Sequence, residues 1–519
     1  MIGFLDQLPI TWLLLGGGLC GLIYFIRLHA IWPFDNDVRP ASREELEHIP
    51  EVRFEGDNSP ERQRLETKSL LQIGYDKYLR HGLPFRIRHP VGELGYEVFL
   101  PLKYLDEVKR APMSLFSFEA YSEKSALLNY IHAPRQTDAA AQVVRVEMNR
   151  SLGAMLDDIW HEGRIYLEDN VPTEWTTVAV YPFLCSFVSR DTSVALVGTS
   201  LCRNTKWQEI VIQTTIATFS ASNIVKDNYS PRWRWLANWS ESIQRDLKKI
   251  RKDSHELLAP LYKERQDAMA NEGYSADASA PYRDIIWWLL GSKQPDRSLT
   301  GIVESELFLS MTSIHTTSAT LYSILCDWIA HPEYHEDIKC EVNECLAKVK
   351  ANNGKWTLQL LASMRRLDSF FKESARVHPL GFISTQRYSL KPHTFKDGFH
   401  LPAGTTLMYD IDGTNFDPDN YPDPHTFDGY RFLRLREEVD PNRFHYASVS
   451  DTALGFGAGL HACPGRFLSA VIMKLFLIQF MTNYEIRYER GGIERPPSIY
   501  NDLASRLDPT LKVQVRRVA

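Results

Sequence analysis

Cysteine is sparse in this chain. Seven are scattered over 519 residues, with no CxxC pair and no Cys/His cluster of zinc-finger spacing. That pattern excludes a disulfide framework and a structural zinc site, and it fits a reducing compartment. Basic excess is also missing: the net charge is −6, so nothing in the balance suggests a nucleic-acid partner. No Gly-x-Gly-x-x-Gly follows a strand-like segment, so the chain carries no nicotinamide or flavin fingerprint of its own. Low-complexity runs, internal repeats and convincing linkers are absent beyond about Ala41. The composition there is globular, 44% hydrophobic and 24% charged overall, and reads as one large domain over 41–519.

One stretch lacks charge altogether. Leu8 to Ile26 holds no charged residue and is rich in Leu, Ile and Gly. At about 1.5 Å per residue it is long enough to cross a bilayer core as a helix. No basic region precedes it and no small-residue cleavage site is clear, which favours an anchor over a cleaved signal peptide. Arg27 and His29 follow it and place the body of the protein on the cytoplasmic side. The sequons at Asn149, Asn228 and Asn238 would then be unused. The expected layout is an anchor over 1–29 with its helix at about 8–26, a connector over 30–40 broken by Pro33 and Pro40, and the domain over 41–519.

Helical periodicity dominates the rest. Thr300 to Ala330 runs without proline and stops before Pro332; as a helix it would be roughly 45 Å long. Trp235 to Met269 carries apolar residues at helical spacing, with Pro260 expected to break or kink it. Strand signals are short: Glu97–Leu100, Thr405–Tyr409 and Leu511–Val515. Asn271 to Pro281, rich in Ala, Ser and Gly, reads as a surface loop. The fold class is mainly α with small β-sheets.

The densest chemistry lies in Phe456-Gly-Ala-Gly-Leu-His-Ala-Cys463-Pro-Gly-Arg466, a glycine-rich turn ahead of the apolar run Phe467 to Tyr484. Glycines there let backbone approach a flat ligand. Pro464 suits a first helical turn. The positive helix N-terminus and nearby N–H groups favour a thiolate at Cys463. Those are the needs of a cysteine that ligates haem iron. Three further patterns precede it in order. Thr312-Ser-Ile-His315-Thr316-Thr317 puts a polar run inside the long apolar helix, a sign of a local bend or a water site. Glu373-Ser-Ala-Arg376 puts an acid and a base on one helix face, in apolar surroundings; alone it would be a surface ion pair of little value. Pro424-His-Thr-Phe427-Asp-Gly-Tyr-Arg431-Phe432 follows.

Together these motifs resemble the cytochrome P450 family, the haem-thiolate monooxygenases. The resemblance covers roughly Ala41 to the C-terminus, and its specific motifs lie between Thr312 and Arg466. It implies the P450-like fold and haem b with Cys463 as the axial thiolate ligand of iron. Phe456 would pack beside the sulfur, or be ordinary core. His461 and Arg387 would meet the haem propionates. Arg145 would be a third such ligand, although the family's Trp-x-x-x-Arg is absent and a surface role fits it equally. Glu373, Arg376 and Arg431 would form a buried network that holds the core together and does no chemistry. Thr316 falls at the threonine that helps deliver protons to dioxygen. His315 stands where the family has an acid, and Ser313 where it has glycine; the histidine either relays protons or packs away from the site.

The activity so implied is insertion of one oxygen atom from dioxygen into a lipophilic small molecule. Electrons would come from NADPH through a separate membrane-bound flavoprotein reductase. Phe116–Tyr130, Glu306–Met311 and Leu380–Ser384 would supply the substrate walls, through residues such as Phe116, Phe118, Leu127, Leu128, Phe308 and Phe382. The Ser-Ile-His-Thr-Thr-Ser wording is similar to that of fungal members acting on secondary metabolites of terpenoid or indole-alkaloid type. Oxidative coupling or isomerisation at the same cysteine, and non-catalytic haem sensing, stay open. The implied place is the endoplasmic reticulum membrane, single-pass, with the catalytic domain facing the cytoplasm.

Overall fold

The computed structural model describes residues 38–88, 94–275, 280–293 and 296–518. The expected anchor at 8–26 and most of the connector lie outside them. Seven helices position the site: α1 (Asn149–Asn170), α2 (Val180–Val197), α3 (Thr205–Asn228), α4 (Glu241–Glu272), α5 (Leu299–Ala330), α6 (Arg365–Val377) and α7 (Arg466–Asn483). Helix α5 is the axis of the molecule. Ser298 starts it by accepting from the Gly301 N–H at 3.2 Å, and it ends at His331, just before Pro332. It packs against α2, α3, α4, α6 and α7. That many neighbours explain why it is apolar nearly all round.

Helix α7 is the other apolar helix. Among the described residues it alone is long and apolar enough to cross a membrane, but 67% of its apolar window is buried inside the protein, as in a core helix. Helix α4 starts at Glu241 rather than Trp235, because Pro231–Trp239 forms a separate 3₁₀ segment. It runs through Pro260 without the break that was one of the two expected outcomes there. Pro260 is exposed, so the Glu256 carbonyl that loses its partner can turn to water.

The sheets are small. Strands β1 (Phe85–Arg88), β2 (Tyr96–Phe99), β3 (Phe116–Ser117), β5 (Ile383–Ser389) and β6 (Thr406–Asp410) make one sheet, in the order β1-β2-β6-β5-β3. Strands β4 (Thr176–Ala179), β7 (Tyr484–Tyr488) and β10 (Lys512–Arg517) make a second, with β10 central. Strands β8 (Ile499–Asn501) and β9 (Ala504–Arg506) pair as a hairpin. The β5–β6 register shifts between Ser384 and Arg387, with Thr385 at φ 54°, an irregularity that re-aims the side chains that follow. The three strands expected from sequence each appear within two residues of their expected bounds. The expected loop after Asn271 is loop where described: α4 ends at Glu272 and no element covers 273–275 or 280–281.

Candidate active site

The Cys463 loop is held by backbone. The Cys463 N–H donates to the Phe456 carbonyl at 2.7 Å, and the Gly457 N–H to Leu454 at 2.8 Å. Gly459 has φ +64°, and a Cβ there would sit 2.7 Å from the Lys109 carbonyl, so only glycine allows this close approach. The Arg466 guanidinium ties the loop from outside, donating to the carbonyls of Cys463 at 2.7 Å and Ala447 at 3.0 Å. Asn149, at the start of α1, donates to the Pro464 carbonyl at 3.2 Å. Helix α7 begins at Arg466, so Pro464 lies just ahead of its first turn.

Cys463 is exposed by surface area. Yet burial is the leading influence on its thiol and raises its pKa, while the Gly465 N–H, the Arg466 charge and the Arg466 N–H pull it down. Phe456 packs edge-on against Tyr446 at 5.4 Å, and Tyr446 in turn against Phe371 of α6 at 5.7 Å.

One stripe of α5 escapes burial. Glu304 and Phe308 are half-buried, and Thr312 and Thr316 are exposed, in a helix whose other faces are mostly covered. The helix is unbroken through the polar run. The Thr316 hydroxyl donates back to the Thr312 carbonyl at 2.8 Å, and Ser313 to Leu309 at 2.7 Å. Thr317 donates to the Ser469 hydroxyl at 3.1 Å, which ties the middle of α5 to the first turn of α7 after Cys463. His315 turns elsewhere. Its Nδ1 lies 2.8 Å from the Tyr181 hydroxyl on α2, and its Nε2 3.0 Å from the Ile212 carbonyl on α3.

Beside the cysteine loop the structure gathers positive charge. Burial lowers the His461 pKa, and the charges of Arg387 and Arg145 push it the same way. Those three side chains, scattered in sequence, therefore share one neighbourhood. Arg387 is 3% exposed, and burial pulls its guanidinium down to about 10. It donates to the Gln386 carbonyl at 2.7 Å and lies 6.0 Å from the Phe118 ring, but among the described residues it meets no carboxylate. Arg145 is exposed, on the π-helical turn Val144–Met148 that precedes α1. Buried cations without a counter-charge are costly. The donor set as a whole, one thiol with the imidazole of His461 and the guanidiniums of Arg387 and Arg145 beside it, fits a flat dianionic group carrying a thiophilic metal. Among the described residues no three His, Cys, Asp or Glu side chains could cage a metal ion by themselves.

Glu373, Arg376 and Arg431 meet in one buried cluster. Arg376 donates to both Glu373 oxygens at 2.7 and 2.8 Å, and Arg431 Nε to both at 3.2 and 3.3 Å. The guanidiniums are completed by carbonyls: Asn415 and Pro424 for Arg376, Pro422, Asp423 and Thr426 for Arg431. A second buried cluster went unnoticed in the sequence. Asp368 meets Lys474 at 2.5 Å and Arg436 at 3.5 Å, and accepts from the Tyr446 N–H at 2.9 Å. Lys372 donates to the His445 and Ser448 carbonyls at 2.9 and 3.1 Å, and burial pushes it down to about 8. Charged residues inside the apolar stretch Leu367–Leu380 were the available signal. Nothing in sequence pointed to Asn149 or Tyr181.

Of the expected substrate walls, Phe116, Leu127, Leu128 and Phe382 are buried in hydrophobic cores, whereas Phe118 and Phe308 keep exposed surface. Glu306 is fully buried, its carboxyl raised well above the usual range by burial, and its oxygens find no hydrogen-bond partner among the described residues.

Comparison with known proteins gives concordant results. The cytochrome P450 family model matches residues 187–515. A cytochrome P450 monooxygenase of Pyricularia oryzae, CYP3, is 58% identical over 89% of this chain and 95% of its own length. The pyrichalasin C-7 hydroxylase of Pyricularia grisea is 47% identical over 93% of this chain and 95% of its own length. The monooxygenase ccsG of Aspergillus clavatus is 50% identical over 90% and 92%. A retinoic acid-bound cyanobacterial CYP120A1 structure superposes with TM-score 0.60 at 20% identity, covering 93% of this chain and 99% of that one, and so shares the fold.

Proposed function

We propose, because this chain belongs to the cytochrome P450 family and is a monooxygenase of fungal secondary metabolism, that Cys463 holds its haem and that the enzyme hydroxylates a compound of the pyrichalasin type. The substrate part rests on the hydroxylase at 47% identity. A second reading, a terpenoid or indole-alkaloid substrate, rests on the Ser-Ile-His-Thr-Thr-Ser wording around His315.

The family implies haem with a cysteine thiolate ligand. When bound, haem supplies the activation of dioxygen, with one oxygen atom entering the product, the other leaving as water, and two electrons coming from NADPH. The chain's own residues do the rest. The Gly465 and Arg466 N–H groups steady negative charge on Cys463. Arg387, His461 and Arg145 offer charge-assisted donors to propionates. Thr312 and Thr316 present hydroxyls on the open stripe of α5, where they hold water and pass protons. Phe118 and Phe308 give the lipophilic substrate an aromatic wall. Glu373, Arg376 and Arg431 fix the frame beneath.

Electrons arrive from a membrane-bound NADPH-dependent flavoprotein reductase, since the chain carries no dinucleotide motif. The uncharged run at 8–26 supports a single-pass anchor in the endoplasmic reticulum, with 41–519 as the catalytic domain on the cytoplasmic side. The observation that carries the reading is Cys463 in its backbone-held, glycine-kinked loop, with His461, Arg387 and Arg145 beside it. The test is a reconstituted assay with reductase and NADPH, offering a pyrichalasin-type compound, a diterpenoid and an indole alkaloid. Hydroxylated product from the first, with NADPH and dioxygen consumed, supports the proposal. Turnover of only the others moves the substrate to the second reading. Product without NADPH consumption would make the enzyme an isomerase.

A further inference from the structure

The family pattern leaves open what a histidine does at position 315, and the structure answers it with partners. A backbone carbonyl only accepts, so the Nε2 that faces Ile212 at 3.0 Å must carry the ring proton. Nδ1 is then the acceptor for the Tyr181 hydroxyl at 2.8 Å. Both ring nitrogens are thus spent on protein, one on α2 and one on α3, and neither is left for the Thr312–Thr316 stripe. Around the ring, α2 presents Tyr181 and Cys185, with the Cys185 sulfur 3.9 Å from Nδ1, and α3 presents the Ile212 carbonyl. Burial raises the pKa of both Tyr181 and Cys185, which keeps them neutral. Tyr181 also stacks at an angle with the ring, 6.1 Å between centroids.

We infer that His315 is a positioning residue, a bracket clamping α5 between α2 and α3, and that Tyr181 is its partner. A relay histidine needs one nitrogen toward the proton's source and one toward its destination. Here a mid-helix carbonyl blocks the exit. The bracket instead fixes the azimuth of α5 at the turn that carries Thr312 and Thr316. Thr215 of α3 adds a second tie nearby, donating to the Met311 carbonyl at 3.1 Å. Proton delivery falls to the threonine hydroxyls and water alone. This inference rests on the proposal that the Thr312–Thr316 stripe is the oxygen-activating face.

The experiment uses the full-length holoenzyme with reductase and measures product per NADPH from pH 6 to 9, alongside unfolding midpoints. Glutamine at 315 supplies one donor and one acceptor but cannot titrate. For a bracket, H315Q stays within twofold of native coupling with the same pH profile, and H315A falls severalfold. Y181F lowers the unfolding midpoint in the native background but adds nothing to H315A. If H315Q were as uncoupled as H315A and both lost a pH dependence seen in the native enzyme, the ring would be a relay and the inference overturned. Additive shifts of Y181F and H315A in the unfolding midpoint would also overturn it, whatever the coupling. T316A separates the premise: unchanged coupling there removes the oxygen-face reading, while the unfolding cycle still judges the bracket.

Discussion

Replacing Glu373 by alanine tests the frame under the site. Glu373 has no exposed surface, and it accepts from Arg376, from Arg431 and from the Asp428 N–H at 3.0 Å. Arg376 and Arg431 have side chains only 2% and 8% exposed. Their other partners are carbonyls, which offset part of the charge but do not neutralise it. Removing the one carboxylate leaves two like charges buried side by side, facing each other across a cavity. Breaking one buried pair costs about 3–5 kcal/mol, and this carboxylate serves two arginines, so the upper part of that range is expected. Against a total stability of about 5–15 kcal/mol, the E373A apoprotein should unfold at much lower urea and the holoprotein should lose haem. Glu373→Gln keeps the volume and one acceptor and should fall between the two. The assay is urea unfolding followed by tryptophan fluorescence, with haem content read in parallel. A loss below about 1 kcal/mol with full haem content would refute the reasoning, because it would mean the arginines are neutralised elsewhere.

Three further outcomes are expected. Lys372 sits at about 8 in the folded state against an ordinary value of 10.5, so the unfolded chain binds more protons between those values and stability should rise with pH through that window, by up to about 3 kcal/mol; K372M should flatten that rise, and an unchanged slope in pH-dependent urea unfolding would contradict it. Arg387→Met should raise the unfolding midpoint of the apoprotein by removing a buried, unpaired cation, yet lower haem retention on dilution; a fall in both would mark an unrecognised counter-charge. Gly459→Ala forces a Cβ to 2.7 Å from the Lys109 carbonyl at φ +64°, and should cost about 1–2 kcal/mol from conformation alone while lowering haem content; native stability would show that the loop relaxes freely.

What was legible in the sequence was local. The proline-free run Thr300 to Ala330 read as one long helix, and the spacing in Glu373-Ser-Ala-Arg376 puts both groups on one face of a helix. The glycines before Cys463 read as room for a flat ligand, whereas the close approach seen at Gly459 is that of the Lys109 carbonyl. What stayed hidden were partners far apart in the chain. No periodicity links Tyr181 to His315, Asn149 to Pro464, or Asp368 to Lys474. Apolar residues misled for a related reason. Phe116, Leu127, Leu128 and Phe382 are as suited to a core as to a substrate wall, and packing placed them in cores. Pro260 allowed a break or a kink, and its exposed position let the helix continue unbroken.

The central claim is that Cys463 ligates haem iron as a thiolate. The direct measurement is the absorption spectrum of the full-length holoprotein, reduced and saturated with carbon monoxide, beside that of Cys463→Ser prepared in the same way. The native protein should show the red-shifted Soret band of a thiolate-ligated haem, and the variant should lack it. The same red-shifted band in Cys463→Ser would contradict the assignment and send the search for the ligand to another cysteine.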